Sequence, residues 1–246
     1  MPYFYFDGII QLDHPFKIKG EEASHILQSR RIKDGEIIQV QDQGYHRYQV
    51  QVEQIHRSSV SLIPISIQQT PPPSPLGIHL FQALVKEKSL DFIIQKTTEL
   101  GVRSIQIFHS RFSQRINSSR EIEKKIIRWS KIAFEACKQS GRRKPPGISF
   151  ANSLSEFHQF SQISSMETIP TICLMSSEEE NALNHLRTDK KEINLIVGPE
   201  GGLAKNELQN TDCANVHFGP RTLRADTAAV SAVSVLQFLH GDMGDP

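Results

Sequence analysis

Cysteine is scarce in this sequence, and its three cysteines are far apart. Cys137, Cys173 and Cys213 form no CxxC pair, which excludes a disulfide framework and argues against a cysteine-based zinc site. The ten histidines show no HxH or HxxxH spacing, so we expect no metal site. The cysteine usage favours a reducing compartment, and we expect a cytoplasmic protein.

Long hydrophobic runs are also missing. No apolar stretch approaches the roughly 20 residues that a membrane-spanning helix needs, so we expect no membrane partner. Residues 1–7 lack the basic region and apolar core of a signal peptide. A Walker A loop, a GxGxxG motif and a GxSxG nucleophile motif are absent too. These absences argue against a nucleotide-phosphate loop and a serine hydrolase.

The clearest boundary in the chain is the proline run at residues 71–75. Such a run cannot enter a helix or a central strand and acts as a stiff spacer. We therefore predict two domains, at residues 1–70 and 76–246. In the first, a short helix is predicted at residues 21–30, and β-branched segments separated by turn signals predict strands at residues 36–41, 48–52 and 60–65. Several short strands of this kind predict a small β-barrel.

Strands and helices alternate after the prolines, which predicts an α/β fold with a mostly parallel sheet. The predicted strands lie at residues 78–84, 102–108, 171–175, 193–197 and 215–218. The predicted helices lie at residues 89–100, 118–140 and 226–239.

Two of these strands end in turns rich in glycine and proline. Residues 195–202 read LIVGPEGG, and residues 218–227 read FGPRTLRADT. Open α/β sheets bind ligands at the carboxyl edge of the sheet, so we predict that both turns border one site. Glu200 is hard to explain as a structural residue between proline and glycine. Arg221 and Arg224 suit an anionic substrate, because a guanidinium pairs with phosphate through two hydrogen bonds.

The first turn, Arg224 and Asp226 also have purely structural interpretations. The first turn could be a plain strand-to-helix connection, and Arg224 could be a surface arginine. Asp226 or Thr227 is predicted to cap the last helix, which would account for Asp226 without any chemistry.

Positive charge is concentrated in one part of the chain. Residues 103–144 contain twelve lysines or arginines against three acids, although the whole chain carries a net charge of only +1. An excess of this size can attract a polyanion such as RNA. A solvated helix face is the alternative interpretation.

The two turns resemble the signature segments of the bacterial 16S rRNA (uracil-N3)-methyltransferases of the RsmE type, in the SPOUT superfamily. The resemblance extends upstream to residues 91–102 and 129–146, and it covers the whole chain, including a PUA-like barrel before the prolines. It implies a trefoil-knotted α/β methyltransferase domain and a homodimer. It also implies S-adenosylmethionine as methyl donor, and N3 of uridine 1498 in the small-subunit rRNA as the target.

The resemblance also implies roles for individual residues. The predicted cofactor-binding residues are Leu174, Gly198, Glu200, Gly201, Phe218, Gly219, Leu223 and Arg224. Arg224 is predicted to stabilise charge on the base or to hold a phosphate, and Asp226 or else Glu200 to accept the proton. The predicted RNA-binding residues are Lys17, Lys19, Arg30, Arg31, Lys86, Arg111, Arg115, Arg142, Arg143 and Arg221.

This chain departs from the family pattern at two places. Ala225-Asp226-Thr227 stands where Thr-Glu-Thr is usual, so the carboxylate is one methylene shorter. Ala204 stands where Ser or Thr is common, and the loss of that hydroxyl removes a helix cap. Two rival functions stay open: a non-catalytic RNA-binding or ribosome-assembly factor on the same scaffold, and a tRNA methyltransferase of the same superfamily. Calorimetry with S-adenosylmethionine separates the binding factor from an enzyme.

Overall fold

The computed structural model describes residues 3–29, 32–156, 169–175, 183, 189, 191–209 and 211–244. The chain divides into two compact units. The first comprises Met1–Pro72 together with Cys137–Lys144, and the second comprises Pro73–Ala136 and Pro145–Pro246. The first unit thus includes a segment from the predicted second domain. Within the described ranges no helix is long and apolar enough to cross a membrane.

The described residues of the first unit form one short helix, α1 (Gly20–Ser29), and a five-stranded sheet. Its strands are β1 (Phe4–Tyr5), β2 (Phe16–Lys19), β3 (Ile37–Gln41), β4 (Arg47–Ile55) and β5 (Ser59–Gln68). They lie in the order β1-β3-β4-β5-β2, with β1 parallel to β3 and the other pairs antiparallel. The inward-facing residues of the sheet and α1 form one apolar core, in which Ala23, Ile26, Val50 and Leu62 are fully buried.

The prediction of a barrel is confirmed only as a half-barrel. The strands β1 and β2 are the two edges of the sheet, and no ladder joins them among the described strands. Side chains fill the gap instead, since the rings of Phe6 and Phe16 lie 4.6 Å apart between centroids. The two edges do not pair because these strands are only two and four residues long.

The segment Cys137–Lys144 completes the polar interior of this unit. Lys138 is only 1% exposed, and its ammonium donates to the carboxylate of Glu22 at 2.8 Å. The guanidinium of Arg47 donates to the carbonyl of Gly141 at 3.1 Å, and the amide of Gln41 donates to the carbonyl of Arg143 at 2.9 Å. The segment thus supplies additional hydrogen-bond partners to polar groups in the interior of this unit, which such groups need when they are buried.

Where the structure describes the second unit, it contains a sheet of six strands, all parallel. They are β6 (Gly77–Ala83), β7 (Ser104–Phe108), β8 (Gly147–Ala151), β9 (Thr171–Met175), β10 (Glu192–Val197) and β11 (Ala214–His217). The order is β11-β9-β10-β6-β7-β8. The helices are α2 (Glu87–Glu99), α3 (Ser119–Ser140), which extends into Cys137–Lys144, and α4 (Ala225–His240). The chain starts in the middle of this sheet, builds one side and then returns to build the other, as in doubly wound α/β folds.

The order of the last three strands positions the site. The strand β9 lies between β10 and β11, and Leu174 is level with both Val197 and Val216. All three strands run in the same direction, so their carboxyl ends lie at one edge of the sheet. The helix α4 packs against α2 and beside β10, with Ala229, Ala232 and Val233 fully buried. Small side chains permit this close packing.

Most of the predicted elements are confirmed. Every predicted strand and helix of both parts is found, with ends shifted by at most a few residues. The strands β1, β2 and β8 were not predicted. β1 and β2 are too short for a pattern, and β8 alternates exposed and half-buried residues instead of forming an apolar run.

We expect Glu22→Ala to destabilise the first unit by about 3 kcal/mol, because it removes the carboxylate that contacts the buried Lys138 ammonium. Urea denaturation measures the loss. Glu53→Ala, which removes an exposed glutamate of β4, is the matched control and should change stability by no more than about 0.5 kcal/mol. Equal urea midpoints for Glu22→Ala and Glu53→Ala would contradict a stabilising role of the contact between Glu22 and Lys138.

Candidate active site

A cavity of about 540 Å³ opens at the carboxyl ends of β9, β10 and β11. Its wall consists of the ends of β9 and β10, the turn after β10, the turn after β11 and residues in the first turn of α4. The volume is in the range of small-molecule sites. The sequence-based prediction that the two turns border one site therefore agrees with the geometry.

The first turn, residues 198–202, requires glycine at specific positions. Gly202 has a φ of +73°, a left-handed conformation in which a side chain is strained, and its N–H donates to the carbonyl of Pro199 at 2.9 Å. At Gly201 the reason is different. A Cβ there would lie 3.1 Å from the Cβ of Phe112, in the loop after β7, so the two segments are already in close contact.

The second turn, residues 218–224, connects β11 to α4. Gly219 has a φ of +75°, and its N–H donates to Nδ1 of His217 at 3.1 Å. Arg224 occupies the N-cap position of α4, where its carbonyl accepts from the N–H of Ala228 at 2.7 Å. The exposed Arg224 side chain thus lies on the residue immediately before a packed helix.

All eight residues predicted to bind the cofactor lie on the cavity wall. Eight further wall residues were not predicted to bind the cofactor or RNA, and they are Met175, Val197, Pro199, Gly202, Leu203, Thr222, Ala225 and Ala228. Their position in or beside the glycine turns is the only signal that could have identified them. Whether the eight predicted residues hold a cofactor stays a prediction.

The cavity wall combines an apolar part with charged groups. Leu174, Val197, Phe218 and Leu223 supply apolar surface, while the charged side chains of Glu200, Arg221 and Arg224 are exposed. Backbone N–H and C=O groups of the glycine turns add polar partners without side-chain bulk. Such a wall suits a ligand with a flat apolar part and charged ends.

The structure corrects the predicted cap of α4 and shows the contacts of Asp226. The predicted cap is wrong, because α4 begins one residue earlier and its N-cap, Arg224, makes no side-chain cap hydrogen bond. Asp226 is also not among the residues that line the cavity. Its carboxylate accepts hydrogen bonds from the Ser89 hydroxyl of α2 at 3.0 Å and from the backbone N–H of Thr227 at 2.7 Å.

These contacts set the protonation of Asp226. Partial burial by itself raises the pKa of the carboxyl, but the hydrogen bonds from Thr227 and Ser89 and the charge of Arg224 outweigh it. The pKa of Asp226 is therefore held below its ordinary value. The group is ionised at neutral pH, and its hydrogen bond to Ser89 links the starts of α2 and α4.

A second carboxylate joins two loops next to the cavity. Glu207 ends a 3₁₀ turn (Lys205–Glu207) after β10. It accepts from the N–H of Ala204 at 2.9 Å, from the N–H of Arg111 at 3.1 Å and from the hydroxyl of Ser110 at 3.3 Å. Ala204 has no side-chain oxygen to complete a capping box, as the sequence indicated. Glu207 nevertheless ties the loop after β7 to the segment that follows the first glycine turn.

The residues predicted to bind RNA fall into three groups. Lys17 and Lys19 are exposed on β2 of the first unit, where Arg143 is exposed and Arg142 half-buried. In the second unit Lys86, Arg111, Arg115 and Arg221 are exposed. Arg30 and Arg31 lie outside the described residues. Burial lowers the pKa of Arg142.

Part of the positive charge of residues 103–144 is used in ion pairs within the protein. Arg103 pairs with Glu192, and Arg128 pairs with Asp91. Lys138 is buried against Glu22. The charge available to an anionic partner is therefore smaller than the residue count indicates. The part of the chain that the structure describes contains no cluster of acidic, histidine or cysteine residues suited to a metal ion.

Comparison with known proteins identifies the class. Residues 72–237 match the family described as "RNA methyltransferase domain", and residues 18–65 match "RNA methyltransferase PUA domain". Together with the parallel sheet and its edge cavity, these matches define an RNA methyltransferase with an N-terminal PUA domain.

Similar proteins identify the particular family. "Ribosomal RNA small subunit methyltransferase E" of Bacillus subtilis is 28% identical over 92% of this chain and 93% of that protein, and the Aquifex aeolicus protein of the same name is 30% identical over 87% and 90%. The solved structure of the Neisseria gonorrhoeae protein of that name, bound to S-adenosyl methionine, is 27% identical with a TM-score of 0.84, covering 98% of this chain and 99% of its own. The chain belongs to the ribosomal RNA small subunit methyltransferase E family.

We expect Asp226→Asn to lower stability at pH 7 and to have less effect in acid. A carboxyl with a pKa lower in the folded than in the unfolded state contributes stability above its unfolded pKa, and that contribution is lost as the pH falls below about 4. Urea titrations at pH 7 and pH 3 measure the difference between the two proteins. If the difference in the free energy of unfolding between the two proteins is the same at both pH values, the lowered pKa of Asp226 is contradicted.

Proposed function

We propose that this protein transfers a methyl group from S-adenosylmethionine to N3 of a single uridine, position 1498, in the rRNA of the small ribosomal subunit. The observation that carries the proposal is the cavity formed by the two family signature turns at the edge of the parallel sheet. The resemblance of these turns to the uracil-N3 methyltransferases supports the choice of base and atom. Family membership supports ribosomal RNA as the class of substrate.

The cavity fits S-adenosylmethionine in size and chemistry. Leu174, Phe218 and Leu223 offer apolar surface to the adenine ring, and the bare backbone at Gly198 and Gly201 lets that ring approach polar main-chain groups. Glu200 and the arginines at the mouth can meet the charged end of the molecule. When bound, this cofactor supplies an electrophilic methyl group, and no metal ion is needed for its transfer.

The main contribution of the protein is to orient the base behind that methyl group, since orientation alone can supply several kcal/mol. The target has to leave its stack to reach the cavity. Arg224, exposed beside the cavity, stabilises the negative charge that develops when the uracil imide loses its proton.

A carboxylate accepts that proton, and two are candidates. Glu200 lies on the cavity wall, whereas Asp226 does not and is held by Ser89 with a lowered pKa, which makes it a weaker base. These observations support Glu200 as the base. They support Asp226 as a residue that keeps the start of α4, and with it Arg224, in place.

The proposal extends to the knot, the dimer and the compartment. In a trefoil knot the last helix passes through an earlier loop, and the packing of α4 against α2 and beside β10 is consistent with such a path. The resemblance supports a homodimer. A small-subunit rRNA substrate and reduced cysteines support a cytoplasmic location.

Mass mapping of rRNA tests the function directly. We expect small-subunit rRNA from a strain that lacks the gene to carry an unmethylated uridine at 1498, and restoring the gene to return the additional methyl mass at that nucleotide. An unchanged methylation pattern in the two strains would refute the proposal. Heat released on titration with S-adenosylmethionine would argue against a purely RNA-binding function.

We expect Arg224→Ala to lower kcat by about 100-fold, because a charge-stabilising donor is lost from the transition state. Arg224→Lys should give an intermediate rate, since it keeps the charge but loses the two-pronged donor geometry. Methyl transfer to small subunits from the deletion strain measures the rates, and thermal melting controls for folding. Wild-type turnover by Arg224→Ala would exclude this role.

A further inference from the structure

The loop after β7 presents an aromatic side chain to solvent beside the cavity. Phe112 is 54% exposed, and the neighbouring Arg111 and Arg115 are exposed as well. The guanidinium of Arg111 lies 5.7 Å from the centre of the Phe112 ring. An exposed aromatic ring with two arginines nearby is the arrangement that proteins use to stack an unpaired base and hold its phosphates.

The position of Phe112 next to the proposed cofactor site is fixed by two contacts. Its Cβ adjoins Gly201, which lines the cavity, so closely that a methyl group on Gly201 would lie 3.1 Å away. Glu207 accepts from the N–H of Arg111, the residue immediately before it. The ring therefore lies at the rim of the cavity. The loop that carries it contacts the first glycine turn at Gly201 and is hydrogen-bonded to Glu207.

The loop itself is held in one conformation by internal hydrogen bonds. The N–H of Ser110 donates to Oγ of Ser113 at 2.9 Å, and that hydroxyl donates back to the carbonyl of Ser110 at 3.0 Å. The N–H of Ile116 donates to Nε2 of His109 at 2.9 Å. Burial and the charge of Arg115 lower the pKa of His109, which keeps the ring neutral and able to accept. A rigid loop can stack a base without a large loss of entropy.

We propose that Phe112, flanked by Arg111 and Arg115, is a stacking platform for an unpaired RNA base at the rim of the methyl-transfer site. This inference rests on the proposed function and adds a substrate contact that positions the target. Its occupant is a base of single-stranded RNA, because the two adjacent cations would meet the backbone phosphates of the same strand.

Substitutions at Phe112 test the platform through RNA affinity. We expect Phe112→Ala to weaken binding of a short single-stranded oligouridylate by about tenfold, within the range that stacking contributes. Phe112→Leu should be as weak, because it keeps apolar bulk but loses the ring, whereas Phe112→Tyr should bind like the wild type. Phe238→Ala removes a phenylalanine of α4 that is 62% exposed, and it should leave the affinity unchanged.

Fluorescence supplies a readout that a merely structural role would not change. The single tryptophan, Trp129, is buried, so Phe112→Trp adds one exposed reporter. We expect the oligouridylate to quench the added tryptophan and an abasic strand of the same length and charge to leave it unquenched. Equal quenching by both strands would overturn the proposal, because it would show attraction of phosphate alone.

These measurements separate failure of the platform from failure of the proposed function. The affinity for S-adenosylmethionine, measured by calorimetry, should be the same in all Phe112 variants, and neither affinity assay depends on methyl transfer. Unaltered oligouridylate affinity in Phe112→Ala, or wild-type affinity in Phe112→Leu, would overturn the proposal. A change in oligomeric state on light scattering, with RNA affinity intact, would likewise overturn it by assigning the ring to a contact between copies of this chain.

Discussion

The hydrogen-bonded register of β9, β10 and β11 is the constraint on which the site depends. Because β9 lies between the other two, two turns that are twenty residues apart in sequence leave the same edge of the sheet. Neither turn alone encloses a ligand. A one-residue slip in a parallel strand would reverse which side chains face the core, and the buried Leu195, Ile172 and Val216 oppose it. The strand register that forms the apolar core thus also brings the two turns to one site.

The site is stabilised by carboxylates that join separate segments of the chain. Asp226 connects α4 to Ser89 at the start of α2, and Glu207 connects the loop after β7 to the segment after β10. Glycine turns have little side-chain packing of their own, so their positions depend on such contacts from outside. An acidic residue near the cavity of this protein can therefore have either a structural role or a role in proton transfer. Its hydrogen-bond partners distinguish the two roles.

Much of the fold could be predicted from the sequence because periodicity and turn residues are local signals. The run at residues 171–175 and the glycines after residue 197 sufficed to locate β9 and the first turn. The predicted cap at Asp226 was wrong because the N-cap is Arg224, whose extended backbone has no signal in the sequence. Phe112 was missed for a related reason. A single aromatic residue in a loop belongs to no period, and only its approach to Gly201 reveals its place.

The first unit is assembled from two separate stretches of the chain, and this has a consequence for its synthesis on the ribosome. Glu22, Gln41 and Arg47 take partners from Lys138, Arg143 and Gly141, which leave the ribosome about a hundred residues later. Domains that are continuous in sequence can fold as soon as they emerge, whereas these contacts form only after residues 138–143 have been made. The five strands of the first unit, all within residues 4–68, can therefore pair before its buried polar groups meet these later partners.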